Sequence, residues 1–504
     1  MKNISKLFLN QINKHPTKVI LKQKENNAWK SYTYQDLLYK INDCNEKLND
    51  YNINKNDHVI YKGKNSIDWV AWNMAVLSKG AVWIPIYQNQ NNSYINHIIN
   101  DSKSKIIIHD DKYYNNNKNI INHYSNVKKI KKDFYTVDHN DLSHIIYTSG
   151  TSGKPKGVML SHQNLLSNID SIQKRFIDLS YKENLKTFNI LPWAHIYSLN
   201  TELYYNLFQK NIIYINSDQN QFLKELSEVQ PHVLYLVPRV LEEIHKKIKF
   251  LDKPIINKLL PFILKTIFGE NLITIFMGGA KLHAEDAHFF FKNNINICEG
   301  YGTTEASPMI SVNHITYPRD KESVGAILDD IDLKIINNEI CVSGLNVCQG
   351  YWNDDQKNKE SFIEYENKKY YKTGDLGRIK YNFLYYIGRK SNNYKLSNGK
   401  FVSVDYYERK IKSVVKNTQL MLYGDNKQFN IIIMEECNKY NKKFEKEMLL
   451  KEINRELPKF AYVKDILFLK KDTFIRFLTP KMSLKKKELI NYYQEEINHF
   501  YESL

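Results

Sequence analysis

Short runs of strand-forming residues recur along the chain, with helical patterns between several of them. They are Val59-Ile60-Tyr61, Ile106-Ile107-Ile108, Ile212-Ile213-Tyr214-Ile215, Val233-Leu234-Tyr235-Leu236-Val237 and Ile273-Thr274-Ile275-Phe276-Met277. Leu37, Leu38, Ile41, Cys44 and Leu48 lie near helical spacing before the first of them. This alternation predicts an α/β architecture with parallel or mixed sheets. Trp69 to Tyr87 is the most apolar long stretch, but it contains Lys79 and Gly80 and ends Pro85-Ile86-Tyr87. It reads as a buried helix followed by a buried strand, not as a membrane span. From Asp332 the pattern turns to short strands and turns, and after Gly388 it becomes lysine-rich. With 504 residues the chain is long enough for more than one domain. The expected division is a large domain over 1–388 and a small α+β domain over 389–504, with the boundary near Gly388–Ser391. No internal repeat is present.

The strand-forming run His144-Ile145-Ile146 passes directly into Tyr147-Thr148-Ser149-Gly150-Thr151-Ser152-Gly153-Lys154-Pro155-Lys156-Gly157. Such a loop suits a polyphosphate. Its glycines let backbone N–H groups close on an anion. Thr148, Ser149, Thr151 and Ser152 add neutral donors, and Lys154 and Lys156 add charge. The spacing is not that of a Walker loop, and a surface linker seldom follows a strand with this ordered a mix.

Further segments carry residue types suited to a nucleotide. Gly278-Gly279-Ala280 follow Met277, and two glycines at a strand end let a flat ligand lie on bare backbone; a plain turn is the equal alternative. Glu305 closes Tyr301-Gly302-Thr303-Thr304-Glu305 and offers a carboxylate to a hard cation. Asp375, after an expected tight turn in Tyr371-Lys372-Thr373-Gly374-Asp375, has two oxygens that match two vicinal hydroxyls. Arg389 stands in Ile387-Gly388-Arg389, and His195 in Leu191-Pro192-Trp193-Ala194-His195-Ile196-Tyr197. Each has an ordinary reading beside this one: a solvated Glu305, a turn Asp375, a surface Arg389 and a packed His195.

Taken in this order over most of the chain, the segments resemble the adenylate-forming (AMP-binding) enzymes: acyl-CoA synthetases, luciferases and peptide-synthetase adenylation domains. The resemblance implies a large adenylation domain of several subdomains and a small mobile C-terminal one, with ATP, Mg²⁺ and CoA as cofactor and co-substrates. It assigns Thr148, Ser149, Gly150, Thr151, Ser152, Gly153, Lys154 and Lys156 to the phosphates, and Gly278, Gly279 and Ala280 to the edge of the adenine. Tyr301, with Gly302 and Thr303, would lie along the nucleotide. Thr304 would meet the α-phosphate, Glu305 Mg²⁺, Asp375 the ribose, and Arg389 ribose or phosphate. His195 would position the acyl carboxylate.

Val237 to Ile244, Tyr394 to Val402 and Leu191-Pro192 look most like the long-chain acyl-CoA synthetase branch, so a fatty acid is the implied substrate. A carrier-protein thiol is the alternative acceptor to CoA. The chain departs from that branch in three places. Only Leu241 to Met277 separates Pro238-Arg239 from Gly278, where the branch has a longer insertion. Ser391 stands at the pivot, where the family has Asp or Lys. In Leu478-Thr479-Pro480-Lys481-Met482-Ser483-Leu484-Lys485, Ser483 takes the place of the adenylation lysine. Lys481 or Lys485 would have to substitute; otherwise the chain is an impaired, nucleotide- or acyl-binding protein. Phe250 to Phe268, apolar with interspersed lysines, reads as an acyl-tunnel gate, a membrane-surface helix or a core helix.

The net charge of +17 favours anionic partners, but Asn, Lys, Ile and Tyr are abundant throughout, as an AT-rich coding sequence would give. Residues 112–131 are the extreme case and read as a tolerant surface excursion. No nucleic-acid-binding module accompanies the charge. Five scattered cysteines form no C-x-x-C pair, which argues against a zinc site or a disulfide framework. The first ten residues hold no apolar run of secretory length. A cytoplasmic location, with peripheral membrane contact left open, is the expectation; oligomeric state is not legible.

Overall fold

The computed structural model describes residues 3–109, 120–121, 137–149, 154–248, 260–282, 284–316, 318–415, 419–436, 443–478 and 484–504. The chain divides into two compact units. One comprises Met1–Lys334, Cys341–Lys372 and Lys380–Leu384; the other comprises Ile335–Ile340, Thr373–Ile379 and Tyr385–Leu504.

The larger unit is built on two sheets. In the first, the order is Gly350–Tyr351, Pro155–Ser161, Leu142–Ser149, Val82–Ile86, His58–Lys62, Ile106–His109 and Ile120–Ile121. Its pairs are parallel from Leu142–Ser149 onward, and the two strands before it run antiparallel. Val82–Ile86 is buried at every position, as a central parallel strand covered on both faces requires. The helix Ile67–Ser78 packs beside it. Ser66 opens this helix by accepting from Trp69 N at 3.0 Å, and every residue except Asp68 is buried, so the helix is apolar all round. This is the first part of the long apolar stretch. Among the described residues no helix is long and apolar enough to cross a membrane.

In the second sheet, five strands run parallel in the spatial order Ile212–Ile215, Lys186–Asn189, Val233–Leu236, Thr274–Met277 and Ile297–Gly302. Val19–Glu25 joins in parallel at one side. Met309–Val312 closes antiparallel on Ile297–Gly302 at the other. The helices Phe222–Val229, Pro238–Ile248, Leu260–Phe268 and Ala284–Lys292 contribute apolar residues to one cluster against this sheet. The fold is therefore α/β, as the alternation predicts. Leu260–Phe268 is the described part of the apolar stretch from Phe250, and Leu260, Leu264 and Phe268 face the core. Residues 250–259, and 112–131 apart from Ile120–Ile121, lie outside the described residues.

The smaller unit is centred on a three-stranded sheet of Leu420–Tyr423, Asn430–Glu435 and Val463–Leu469. Its strands alternate, apart from a register shift at Asn430 and Val463. Leu420, Leu422, Ile432, Met434 and Ile466 enter one apolar cluster; Met421, Tyr423, Ile431, Ile433 and Leu467 enter another. A period of two places these sets on opposite faces. Helices Val404–Val414 and Lys443–Arg455 contribute to the first cluster, and Lys486–Tyr492 and Gln494–Glu502 to the second.

Candidate active site

Three of the sequence-assigned segments leave the carboxyl edge of neighbouring parallel strands, where open α/β sheets bind ligands. Leu191 to Tyr197 follows Lys186–Asn189, Gly278 follows Thr274–Met277, and Tyr301 ends Ile297–Gly302. The chain then holds them to one another. Tyr197 donates its hydroxyl to Phe276 O at 3.0 Å, and its ring lies against Gly278. A Cβ at Gly278 would stand 3.1 Å from that ring, so the close approach depends on glycine. Asn200 Nδ2 donates to Ser307 O at 2.6 Å, tying the helix after His195 to the turn after Glu305. Gly302 is fixed more severely, because a Cβ there would meet Pro308 O at 1.9 Å.

Thr304 is buried, and Thr303 Oγ1 is buried with no hydrogen-bond partner among the described residues. A buried hydroxyl in that state is available to a ligand oxygen. Glu305 Oε1 accepts from Tyr351 Oη at 2.7 Å, and Glu305 O accepts from Cys348 N at 2.8 Å. Tyr351 belongs to the strand that pairs with Pro155–Ser161, so Glu305 is tied to the strand that follows the phosphate-suited loop. The loop itself joins two antiparallel strands, Leu142–Ser149 and Pro155–Ser161. Thr148 is half-buried, Lys154 is exposed, and Lys156 Nζ lies 3.1 Å from Asp354 Oδ2. Gly150, Thr151, Ser152 and Gly153 lie outside the described residues, as does the side chain of Ser149. Among the described residues no group of three or more His, Cys, Asp or Glu could hold a metal. A single carboxylate at Glu305 fits Mg²⁺, which binds through one or two carboxylates and completes its shell with phosphate oxygens and water.

His195 is half-buried. Its Nδ1 accepts from Tyr197 N at 3.2 Å, which leaves Nε2 to carry the proton of the neutral ring. Gly279 and Ala280 are exposed.

Asp375 and Arg389 belong to the other unit, where they meet. Arg389 Nε lies 2.9 Å from Asp375 Oδ1; the carboxylate is 2% exposed and the guanidinium 48%. The expectation that Asp375 follows a tight turn is corrected. It lies inside the long strand Lys368–Lys380, because Gly374, at φ +73°, bends the strand without ending it. Gly374 N donates to Glu339 Oε1 at 2.9 Å, and Lys390 Nζ pairs with Glu339 Oε2 at 2.8 Å. Arg389 N donates to Asp405 Oδ2 at 2.7 Å. Ser391 is exposed in the short turn Lys390–Asn392. Lys485 precedes the helix Lys486–Tyr492 and pairs with Glu488 at 3.0 Å; Lys481 and Ser483 lie outside the described residues.

Residues 8–352 match the AMP-binding enzyme family. The chain belongs to that family. This AMP-binding enzyme is similar to fatty acyl-CoA synthetase B of Dictyostelium discoideum, 26% identical over 481 residues covering 76% of this chain and 69% of that one. It is also similar to long chain acyl-CoA synthetase 3 of Arabidopsis thaliana, 24% identical over 443 residues covering 72% of this chain and 65% of that one. It thus spans about two thirds of the length of these relatives. Among solved structures it is similar to o-succinylbenzoate coenzyme A synthetase from Bacillus subtilis in complex with AMP. There the identity is 18%, the TM-score 0.79, and the coverage 96% of this chain and 97% of that one. At that identity the likeness speaks to the fold.

Sequence reasoning missed the residues that hold the assigned ones. Tyr351 and Asp354 sit in Gly350-Tyr351-Trp352-Asn353-Asp354, a glycine–aromatic turn that signals no chemistry alone. Glu339 and Asp405 are ordinary acids in sequence, and only tertiary pairing distinguishes them.

Proposed function

We propose that this AMP-binding enzyme activates a fatty acid with ATP and Mg²⁺ and transfers the acyl group to CoA. The observation that carries this reading is the tie from Glu305 through Tyr351 to the strand following the phosphate-suited loop, in a chain whose curated relatives are named fatty acyl-CoA and long-chain acyl-CoA synthetases. In the first step a carboxylate oxygen bonds to the α-phosphorus of ATP, the bond to the β-phosphate oxygen breaks, and pyrophosphate leaves. In the second step a thiol sulfur bonds to the acyl carbon and loses its proton, the C–O bond of the acyl–phosphate anhydride breaks, and AMP departs with the bridging oxygen that came from the carboxylate.

Two anions meet in the first step, so the site must offset charge that grows on the phosphate. Lys154, Lys156 and the loop N–H groups would do this, and Mg²⁺ on Glu305 would polarise the phosphate oxygens. Thr304 would contact the α-phosphate, and Tyr301 with Gly278, Gly279 and Ala280 would flank the adenine. Asp375 would take the ribose hydroxyls, for which Arg389 must share or release it. His195 would orient the acyl carboxylate. Residues 389–504 would close differently for the two steps about Gly388–Ser391.

The test is AMP and acyl-CoA formation from ATP, Mg²⁺, CoA and a panel of acids from short to long, with o-succinylbenzoate included. Long-chain acids should be used best, and Glu305→Ala should abolish turnover. Preference for o-succinylbenzoate, or undiminished activity in that variant, would overturn the substrate or the metal assignment. Ser483 at the adenylation-lysine position favours a second reading, in which acyl-adenylate formation is impaired. Under it the wild type binds ATP without turnover, and Ser483→Lys restores acyl-adenylate. Replacing CoA with a phosphopantetheinyl carrier protein separates the acceptors.

A further inference from the structure

The segment bearing His195 is followed by a π-helix, Tyr197–Tyr204, an uncommon element that is frequent at functional sites. Glu202 lies on it with no exposed surface. The side chains around this carboxyl form one connected network. Ser198 Oγ stands 2.6 Å from Glu202 Oε2 and 3.1 Å from Leu191 O. Asn189 Nδ2 donates to Glu202 Oε2 at 2.7 Å and to Leu191 O at 2.9 Å. The Trp193 indole and the second oxygen, Glu202 Oε1, are buried beside this network, each without a hydrogen-bond partner among the described residues. Asn65 completes the arrangement. Its Nδ2 donates to Asn189 Oδ1 at 2.6 Å and to Leu191 O at 2.8 Å, and its Oδ1 accepts from Trp193 N at 3.0 Å. The backbone on both sides of Pro192 is thereby held, three residues before His195.

Proton counting bears on the state of the carboxyl, although Leu191 O also takes Asn189 Nδ2 and Asn65 Nδ2. Ser198 has one hydroxyl hydrogen. If Glu202 were ionised, Oε2 and Leu191 O would both be acceptors, and that hydrogen could serve only one. A proton on Oε2 uses both contacts: Glu202 donates to Ser198 Oγ, and Ser198 donates on to Leu191 O. Among the described residues no cation faces the carboxyl. The titratable groups facing it are the phenols of Tyr197 and Tyr235, and burial pushes both up, so they stay neutral.

We propose that Glu202 is a positioning residue that works as a neutral acid: its proton relays through Ser198 to Leu191 O and locks the His195 segment for acyl activation. Ionisation breaks the relay and sets a charge in the core, so the segment loosens at alkaline pH. Burial, opposed chiefly by the bonds from Ser198 and Asn189, pushes this carboxyl up to about 8, which places the change just above neutrality. The inference rests on the acyl-activation reading only for its effect on rate.

Three measurements test it on the full chain. Infrared spectra at pH 7 should contain a protonated-carboxyl band that Glu202→Gln lacks; no difference would overturn the neutral acid. Hydrogen exchange over residues 191–199, corrected for intrinsic rate, should quicken above pH 8 in the wild type and not in Glu202→Gln. Ser198→Ala should quicken it about tenfold at pH 7, if the relay is worth roughly 1.4 kcal/mol. Equal exchange in all three proteins would overturn the positioning role. In the acyl-CoA assay the wild-type rate should fall on the alkaline side with kcat changing more than KM, and Glu202→Gln should lack that limb. A limb shared by both would refute the link to activity. Failure of every acid to turn over would defeat the acyl-activation reading, while the first two measurements would still decide the Glu202 proton and its hold on the segment.

Discussion

Replacing Glu202 with glutamine should flatten the dependence of stability on pH. Burial is the main reason that the folded protein holds this proton up to about 8 rather than near 4.5. The folded state therefore binds more protons than the unfolded chain between those limits. Stability from this group is fully present below about 4.5 and is lost as pH rises through 8. At roughly 1.4 kcal/mol for each pH decade, the interval is worth about 5 kcal/mol, comparable with the whole net stability of many domains. Glu299, pushed up to about 7 by burial, acts in the same direction. Asp330 and Asp332, held low chiefly by their bonds from Lys174 and Lys368, act in the opposite direction at acid pH. All three are present in both proteins and cancel in the difference. Denaturant unfolding of wild type and Glu202→Gln from pH 5 to 9 isolates the term. The two stabilities should diverge toward high pH, the variant losing several kcal/mol less. Parallel curves would refute the buried neutral acid.

Three further outcomes are expected. Tyr351→Phe removes the 2.7 Å donor to Glu305, a bond to a charged group worth ~1.5–3 kcal/mol, and should raise the Mg²⁺ concentration for half-maximal turnover about tenfold. Gly278→Ala sets a methyl 3.1 Å from the Tyr197 ring, so overpacking of ~1–3 kcal/mol should appear as weaker ATP binding by titration, with little change in unfolding of the smaller unit. Lys486→Met leaves buried Glu408, now paired at 2.8 Å, with Leu422 N as its remaining donor; denaturant unfolding should show a loss of about 3 kcal/mol.

The strands and the α/β class were legible because their signal is local. Val59-Ile60-Tyr61 and Ile106-Ile107-Ile108 lie in parallel neighbours, as continuous apolar runs suggest. That Gly278 follows a strand was legible from the apolar run Ile273-Thr274-Ile275-Phe276-Met277 before it. Asp375 was placed wrongly because Gly374 reads as a turn, and nothing local reveals that the strand continues through it. Tyr351, Asn65 and Glu202 were not legible at all. Tyr351 and Asn65 act through partners far along the chain: Tyr351 on Glu305, Asn65 on Asn189 and Leu191. Glu202 sits in Asn200-Thr201-Glu202-Leu203, which reads as an ordinary polar turn of helix until burial and the π-helix are seen.

The three acids show how one chain gives the same functional group different work. Asp375 is buried but faces Arg389 at 2.9 Å, so its charge is compensated by a partner that is itself half in solvent and also donates to Thr373 O at 3.3 Å. Glu305 is half-buried and accepts a tyrosine hydroxyl, which fixes one oxygen; under the proposed function the other would meet Mg²⁺. Glu202 has full burial and only neutral donors, which stabilise a carboxyl without offsetting the cost of ionising it. A group that must bind a metal has to be charged at working pH, and a group that must hold backbone in a dry core does better uncharged. The environments differ accordingly: exposure and a polar contact at Glu305, an ion pair at Asp375, and burial among neutral groups at Glu202. The division follows from the carboxyl edge of the second sheet and the π-helix after it, since the strand ends leave Glu305 reachable while the helix turns Glu202 into the core.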